Sequence, residues 1–151
     1  MSSKPPKQLT TTIKLLINAS AAKPAPPVGP ALGQAGLNIM GFCKEFNAKT
    51  ANYKENVPLR VIVRVFSDKT YEWDLRTPQS TWLIKKAAGL ARAADKPGHE
   101  FAGTISLKHL YEIALLKQRD MPSLHLEAIV KNLMFTCQSM GVRVVRRPED
   151  A

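Results

Sequence analysis

The sequence predicts an α+β protein made of two small domains. Its 151 residues suffice for two compact units of modest size. Apolar residues alternate with period two in much of the first half, which indicates strands, whereas the second half shows the 3.6-residue periodicity of helices. Thr77-Pro78 separates the halves, because Thr caps helices and Pro suits the first helical turn. We therefore expect a helix-on-antiparallel-sheet domain over residues 1–76 and a three-helix domain with a small β element over residues 77–151.

The first domain begins with a polar segment, Ser2 to Gln8, followed by a predicted strand at Thr12–Ile17. A loop rich in proline and glycine comes next, at residues 23–36. Asn38 is then a suitable N-cap for a helix. The apolar residues of that helix fall on one side, which predicts its buried face: Ile39, Phe42, Cys43 and Phe46.

Two further strands complete the predicted sheet. Leu59–Phe66 places leucine and valine on one face and two arginines, Arg60 and Arg64, on the other. A turn leads from it into Tyr71–Arg76. Since opposite charges stabilise cross-strand pairs, we expect the acidic residues of Tyr71–Arg76 to lie opposite the two arginines.

The second domain is predicted to hold three helices. The first follows Thr77-Pro78, the second runs over Leu107–Arg119 with Ser106 as its cap, and the third opens at Pro122-Ser123. A glycine-containing loop, Asp95 to Gly103, precedes the second helix, and a short strand, Val142 to Arg147, ends the domain. The third helix has the clearest buried stripe in the chain: Leu126, Ile129, Val130, Leu133, Met134, Cys137 and Met140.

The charge of the chain points to a polyanionic partner. Lys and Arg number 22 against 12 Asp and Glu, a formal net charge of +10, and two long stretches, 1–44 and 128–148, contain no acid. No apolar run approaches the roughly 20 residues that span a bilayer, so we expect no membrane segment. The two cysteines, Cys43 and Cys137, exclude a disulfide scaffold and fit a reducing compartment.

Catalytic and metal sites find little support in the sequence. The histidines and cysteines lack the spacing of metal ligands, and no nucleophile motif is present. Glycines 29, 33 and 36 superficially suggest a phosphate loop, but no Gly-Lys-Ser/Thr follows them. We therefore expect no enzymatic activity, cofactor or metal. A phosphate-binding enzyme that uses the glycine loop is an alternative that specific nucleotide binding would identify.

The outer face of the third helix is a better candidate for function. Polar residues there, beside a basic strand, suit contacts with phosphates, 2′-hydroxyls and minor-groove edges of folded RNA. The solvent-exposed side of an ordinary amphipathic helix would explain the polar residues equally well. Phe135 favours a functional surface, because an aromatic residue on the outer face of a helix indicates stacking or a partner. The face consists of Lys131, Asn132, Phe135, Thr136, Gln138 and Ser139.

Residues 26–39, reading Pro-Pro-Val-Gly-Pro-Ala-Leu-Gly-Gln-Ala-Gly-Leu-Asn-Ile, and the following Phe42 to Asn47 resemble the signature of the large-subunit ribosomal protein L11 family. The similarity continues through Lys85–Gly89, Glu112–Ala114 and Ser139–Gly141 and covers nearly the whole chain. Members usually read Gly-Thr-Ala-Arg-Ser-Met-Gly where residues 135–141 read Phe-Thr-Cys-Gln-Ser-Met-Gly. Phe135 and Gln138 therefore depart from the pattern.

The resemblance implies a structural protein at the base of the ribosomal stalk. Its C-terminal domain would bind the GTPase-associated region of large-subunit ribosomal RNA, with stalk ribosomal proteins and elongation-factor GTPases as further partners. The N-terminal domain would face those GTPases, and its proline-rich segment would form the thiopeptide-antibiotic cleft with the RNA. The outer face of the third helix, the basic strand and the resemblance together predict these RNA-binding residues: Lys85, Lys86, Lys131, Asn132, Thr136, Gln138, Ser139, Met140, Gly141, Arg143 and Arg146. The implied cleft residues are Pro26, Pro27, Val28, Gly29 and Pro30.

Function and compartment each keep an alternative. A stand-alone RNA-binding regulator is the alternative to a ribosomal component. Thr104–Ala114 and Gly141–Val145 resemble mitochondrial members of the family more than bacterial ones. The acid-free start is compatible with import, although it has no arginine before Arg60 and no clear amphipathic presequence. We expect a mitochondrial ribosome, with the bacterial cytoplasm as the alternative.

Overall fold

The computed structural model describes residues 7–147, which form five helices and five strands. The chain divides into two compact units, one ending at Arg76 and one beginning at Thr77, and the mixed helix and sheet content confirms the α+β prediction. Most of the polar N-terminal segment, Ser2 to Pro6, lies outside the described residues, as does Pro148 at the end of the second acid-free stretch. Within residues 7–147 no helix has both the length and the apolar character that crossing a bilayer requires.

The first unit contains a three-stranded antiparallel sheet in the order β1-β2-β3. The strands are β1 (Leu9–Asn18), β2 (Pro58–Phe66) and β3 (Tyr71–Arg76). β1 extends beyond the predicted Thr12–Ile17, because its pairing with β2 continues from Leu9 to Asn18. The polar residues at its start are exposed, so backbone pairing rather than apolar alternation holds them in the sheet.

Two helices, α1 (Val28–Gln34) and α2 (Ile39–Thr50), pack against one face of this sheet. The Asn38 side chain accepts a hydrogen bond from the Gly41 N–H at 3.1 Å, which confirms the predicted cap of α2. Phe42 and Phe46 are buried and their rings contact Trp73 of β3. This aromatic cluster joins helix and sheet into a single core.

The prediction of a loop over residues 23–36 is wrong in part, because α1 forms inside it. Pro30 occupies the third position of the helix, where a missing N–H removes no intrahelical hydrogen bond. Val28 and Leu32 lie one turn apart and are 2% and 0% exposed. Their burial against the sheet favours a helical turn that local propensity disfavours, since glycine and proline are weak helix formers.

The charge pairing expected across β2 and β3 is confirmed at one arginine and not at the other. Arg64 lies opposite Glu72 and hydrogen-bonds the Asp74 carboxylate. Arg60 lies opposite Arg76 instead. Packing of the buried apolar face fixes the strand register. The cross-strand partners of the outward-facing side chains follow from that register, whether or not their charges are opposite.

The second unit comprises α3 (Ser80–Ala87), α4 (Leu107–Gln118), α5 (Leu126–Ser139) and a two-stranded parallel sheet of β4 (Gly103–Ser106) and β5 (Val142–Val145). The predicted stripe of α5 is confirmed over most of its length: Ile129, Leu133, Cys137 and Met140 are buried, with Leu126 and Val130 packed against them. Met134 is the departure, at 39% exposed. The Ser106 hydroxyl accepts from the His109 N–H at 3.4 Å, which confirms the cap of α4.

Three local predictions for this unit are corrected. Thr77 does not cap α3, because the helix begins at Ser80 with Gln79 at the N-cap position; the Thr77 N–H donates to the Asp120 carboxylate at 3.1 Å. α5 begins at Leu126 rather than at Pro122. β4 was not predicted as a strand, because four residues carry little periodicity and its partner, β5, lies far along the chain.

Candidate nucleic-acid interface

A cavity of about 580 Å³ lies in the second unit between α5, β5 and the segment that precedes β4. It brings together four of the residues implied in RNA binding: Lys131, Gln138, Gly141 and Arg143. The other lining residues are Gly98, Phe101, Met134, Phe135, Val142 and Val144. The cavity therefore combines cationic and amide side chains with an apolar wall.

Helix geometry explains why α5 supplies one side of the cavity. Lys131, Phe135 and Gln138 are spaced by four and three residues, so they follow one another along a single face. Leu133 and Cys137 point to the core on the other side of the same helix. The buried stripe thus holds α5 in place and leaves the cavity face exposed.

Met140 and Gly141, two of the predicted RNA contacts, are both buried, and Gly141 also lines the cavity. Met140 is 6% exposed and belongs to the core. Gly141 has φ +70°, and a Cβ there would lie 2.5 Å from the Ala94 Cβ and 2.8 Å from the Glu100 carbonyl oxygen. Its own carbonyl accepts from the Ala102 N–H at 2.8 Å. Only glycine lets the turn after α5 contact the segment before β4 this closely.

Phe101 is a cavity residue that the sequence analysis missed. Its side chain is 61% exposed, and the Arg143 guanidinium carbon lies 4.6 Å from the centre of its ring. The pairing of β4 with β5 brings these two distant residues together. The available signal was a large aromatic residue next to a Pro-Gly loop and outside any apolar stripe.

One acidic residue competes for the charge of Lys131. The Glu127 carboxylate lies 2.7 Å from the Lys131 ammonium, one turn away on α5, and this hydrogen bond lowers the pKa of Glu127. Both side chains are exposed, so water and salt weaken the pair. Lys131 therefore remains able to exchange Glu127 for a phosphate.

Glu127→Gln is expected to strengthen RNA binding about two- to fivefold, because exposed pairs of this kind contribute little and removing the acid frees Lys131. The measurement is a titration against an RNA fragment at two salt concentrations. Glu112→Gln on α4 is a matched control, since Glu112 is also exposed but lines a separate groove. Equal strengthening by both variants would show a general charge effect instead.

The remaining implied RNA contacts do not line the cavity. The Thr136 and Ser139 hydroxyls donate to the carbonyls of Asn132 and Thr136, at 2.9 and 2.8 Å, within α5 itself. Lys85 and Lys86 lie in the last turn of α3. Arg146 lies in a separate groove with Leu107 and Tyr111.

The cysteines are placed for packing. Cys43 and Cys137 are both buried, and burial raises the pKa of each thiol, to about 11 for Cys137. Both therefore stay protonated near neutral pH. Residues 7–147 contain no cluster of three His, Cys, Asp or Glu side chains that could hold a metal ion.

The proline-rich segment borders a smaller cavity of about 250 Å³ in the first unit. Pro26 and Pro27 are exposed beside it and are joined by a cis peptide bond. Val28 also lines the cavity, although it is 2% exposed and packs in the core. Gly29 is half-buried, with its Cβ position 3.1 Å from the Pro24 carbonyl oxygen, and Pro30 is exposed on α1 away from the cavity.

Two family models match the chain, one to each unit. Residues 13–71 match the model of ribosomal protein L11, N-terminal domain, and residues 76–144 match that of ribosomal protein L11, RNA binding domain. The large ribosomal subunit protein uL11 of Roseobacter denitrificans is 42% identical over 138 residues, which cover 91% of this chain and 98% of the relative. The chain therefore belongs to the ribosomal protein L11 family, a family of structural, non-enzymatic proteins, as its sequence predicts.

Proposed function

We propose that this chain is a structural component of the large ribosomal subunit and binds large-subunit ribosomal RNA through the cavity face of its second unit. The observation that carries the proposal is the convergence of Lys131, Gln138 and Arg143 on one cavity, in the unit that matches the family's RNA-binding domain. Cations bind phosphates, and the amide can reach base or sugar edges. The net charge of +10 favours the same partner.

The finer proposal concerns the position in the ribosome. The RNA site would be the GTPase-associated region at the stalk base, with stalk proteins and elongation-factor GTPases as neighbours of the first unit. Two observations support it: the match of the first unit to the family's N-terminal domain and the exposed prolines beside its cavity. In this arrangement the first unit responds to the factors while the second binds the RNA.

The direct test is binding to a transcribed fragment of the GTPase-associated region over a range of salt concentrations. Wild-type protein should bind the fragment and fail to bind an RNA of equal length whose tertiary fold is disrupted, because folded RNA is recognised by shape. The logarithm of the binding constant falls linearly with the logarithm of the salt concentration, and Lys131→Ala should make this slope shallower by about one unit. Co-sedimentation with the large subunit at high salt distinguishes a ribosomal component from a stand-alone regulator, which would not be retained.

Pro27→Ser, beside the cavity of the first unit, and Pro30→Ser are each expected to weaken thiopeptide binding to the protein–RNA complex while RNA affinity stays near wild type. Pro30 is exposed in the first turn of α1, so its loss costs on the order of 1 kcal/mol, mainly by freeing the unfolded chain. Titrating the complex with a thiopeptide and the protein with RNA measures both affinities. Equal loss of the two would assign Pro30 to folding.

For the compartment, the mitochondrial ribosome is our proposal and the bacterial cytoplasm the alternative. The segments Thr104–Ala114 and Gly141–Val145 support the former, and the bacterial source of the relative supports the latter. A fluorescent tag at the C-terminus, expressed in the source organism, should co-localise with a mitochondrial marker. Signal in the cytosol or nucleus alone would contradict the mitochondrial proposal.

A further inference from the structure

We infer that the 580 Å³ cavity of the second unit takes a single unstacked nucleobase of the bound RNA, with the base lying on the ring of Phe135. The inference rests on the proposed RNA binding and names the contact that the cavity makes.

The exposure of the aromatic rings is the first argument. Phe135 is 68% exposed and Phe101 is 61% exposed, and both line the same cavity. A phenylalanine has no polar group to justify such exposure, so two of them at one site indicate a surface that a partner covers. Exposed aromatic rings of this kind stack against nucleobases whatever the identity of the base.

The chemistry of the cavity is the second argument. Met134, Val142 and Val144 form an apolar wall together with the two phenylalanine rings. The polar lining residues are Lys131, Gln138 and Arg143. A nucleotide has matching parts, since its base has flat apolar faces while its phosphate is anionic and its base edge carries hydrogen-bonding groups. The volume lies within the roughly 300–1,000 Å³ usual for sites that enclose small organic groups.

The charge of the cavity selects a nucleic acid over a neutral apolar peptide. Among the described residues that line it, two are cations and none is Asp or Glu. Arg143 lies against Phe101 at 4.6 Å from the ring centre, so its charge is held beside the apolar wall. A phosphate next to the inserted base would meet this guanidinium or the Lys131 ammonium.

The test compares Phe135→Ala, Phe135→Leu and Phe135→Trp in the full chain, using a transcribed fragment of the GTPase-associated region as the probe. Phe135→Ala should lose affinity roughly 5- to 150-fold, the range measured for stacked bases, and Phe135→Trp should bind like wild type. Phe135→Leu should lose most of the same affinity because it keeps apolar bulk without a ring face. The salt slope should not change in any of them, since the contact is uncharged.

Tyr53→Ala is the matched control, because Tyr53 is an aromatic residue of the first unit that is 39% exposed and lines neither the cavity nor the groove of Arg146. It should bind RNA like wild type. Ultraviolet irradiation of the wild-type complex, followed by mass spectrometry of the digested protein, should find a nucleotide attached at Phe135 or Phe101. A merely structural role of Phe135 would produce no such adduct.

Each failure has a separate meaning. If wild-type protein does not bind the fragment, the proposed function and this inference both fall. If wild type binds and Phe135→Ala or Phe135→Leu binds equally well, base stacking is overturned while RNA binding stands. If Phe135→Ala leaves RNA affinity unchanged but weakens retention of the protein in the large subunit, the cavity binds a protein partner. That result would likewise overturn the inference.

Discussion

Gly141→Ala is expected to lower the free energy of unfolding of the second unit by about 2–5 kcal/mol, combining the left-handed backbone with overpacking. Gly141 has φ +70°, and the added Cβ would lie 2.5 Å from the Ala94 Cβ and 2.8 Å from a backbone oxygen. Neither contact is to the flexible end of a long side chain, so the backbone itself must shift. Because that shift moves the segment carrying Phe101, RNA affinity should fall as well.

Gly89→Ala provides the control for this prediction. Gly89 has a nearly identical φ of +66°, but a Cβ there would meet nothing within 4 Å. It should therefore show only the backbone cost of roughly 1–2 kcal/mol and normal RNA binding. Urea denaturation of both variants measures the difference. If the two lose the same stability, the close approach at Gly141 has no energetic importance.

Residues 77–151 alone are expected to bind the RNA fragment nearly as tightly as the full chain, whereas residues 1–76 alone should show no specific binding. The described residues that line the 580 Å³ cavity all belong to the second unit, and the core beneath them comes from that unit as well. The first unit has its own core around Phe42 and Phe46, and none of its described residues lines the cavity. Its absence should therefore leave the RNA contacts in place.

The measurement is a salt-dependent titration of both fragments and the full chain, with circular dichroism to show that each fragment is folded. Residues 1–76 carry 11 Lys and Arg against 5 Asp and Glu, so non-specific binding at low salt is expected and is not evidence against the assignment. Specific binding by a folded 1–76 fragment, together with none by a folded 77–151 fragment, would reverse the roles.

The sequence by itself determined the elements whose pattern is local. The alternation of Leu59–Phe66, the Asn38 cap and the apolar stripe of α5 each depend on residues only a few positions apart in the chain. The structure contains all three. The exposed position of Phe135 followed from the same helical spacing. Family membership was also accessible, because the proline-glycine signature is a continuous run of residues.

Tertiary structure decided the features that depend on distant partners. α1 forms against local propensity because Val28 and Leu32 are buried under the sheet, and β4 exists because β5 pairs with it. The same pairing brings Phe101 to Arg143, which no spacing along the chain could indicate. Met140 and Gly141 match the family pattern, yet core packing buries Met140, and a close backbone approach that only glycine permits places Gly141 in the cavity wall. Local propensity fixes which elements are available, whereas burial between distant segments selects among them and builds the site.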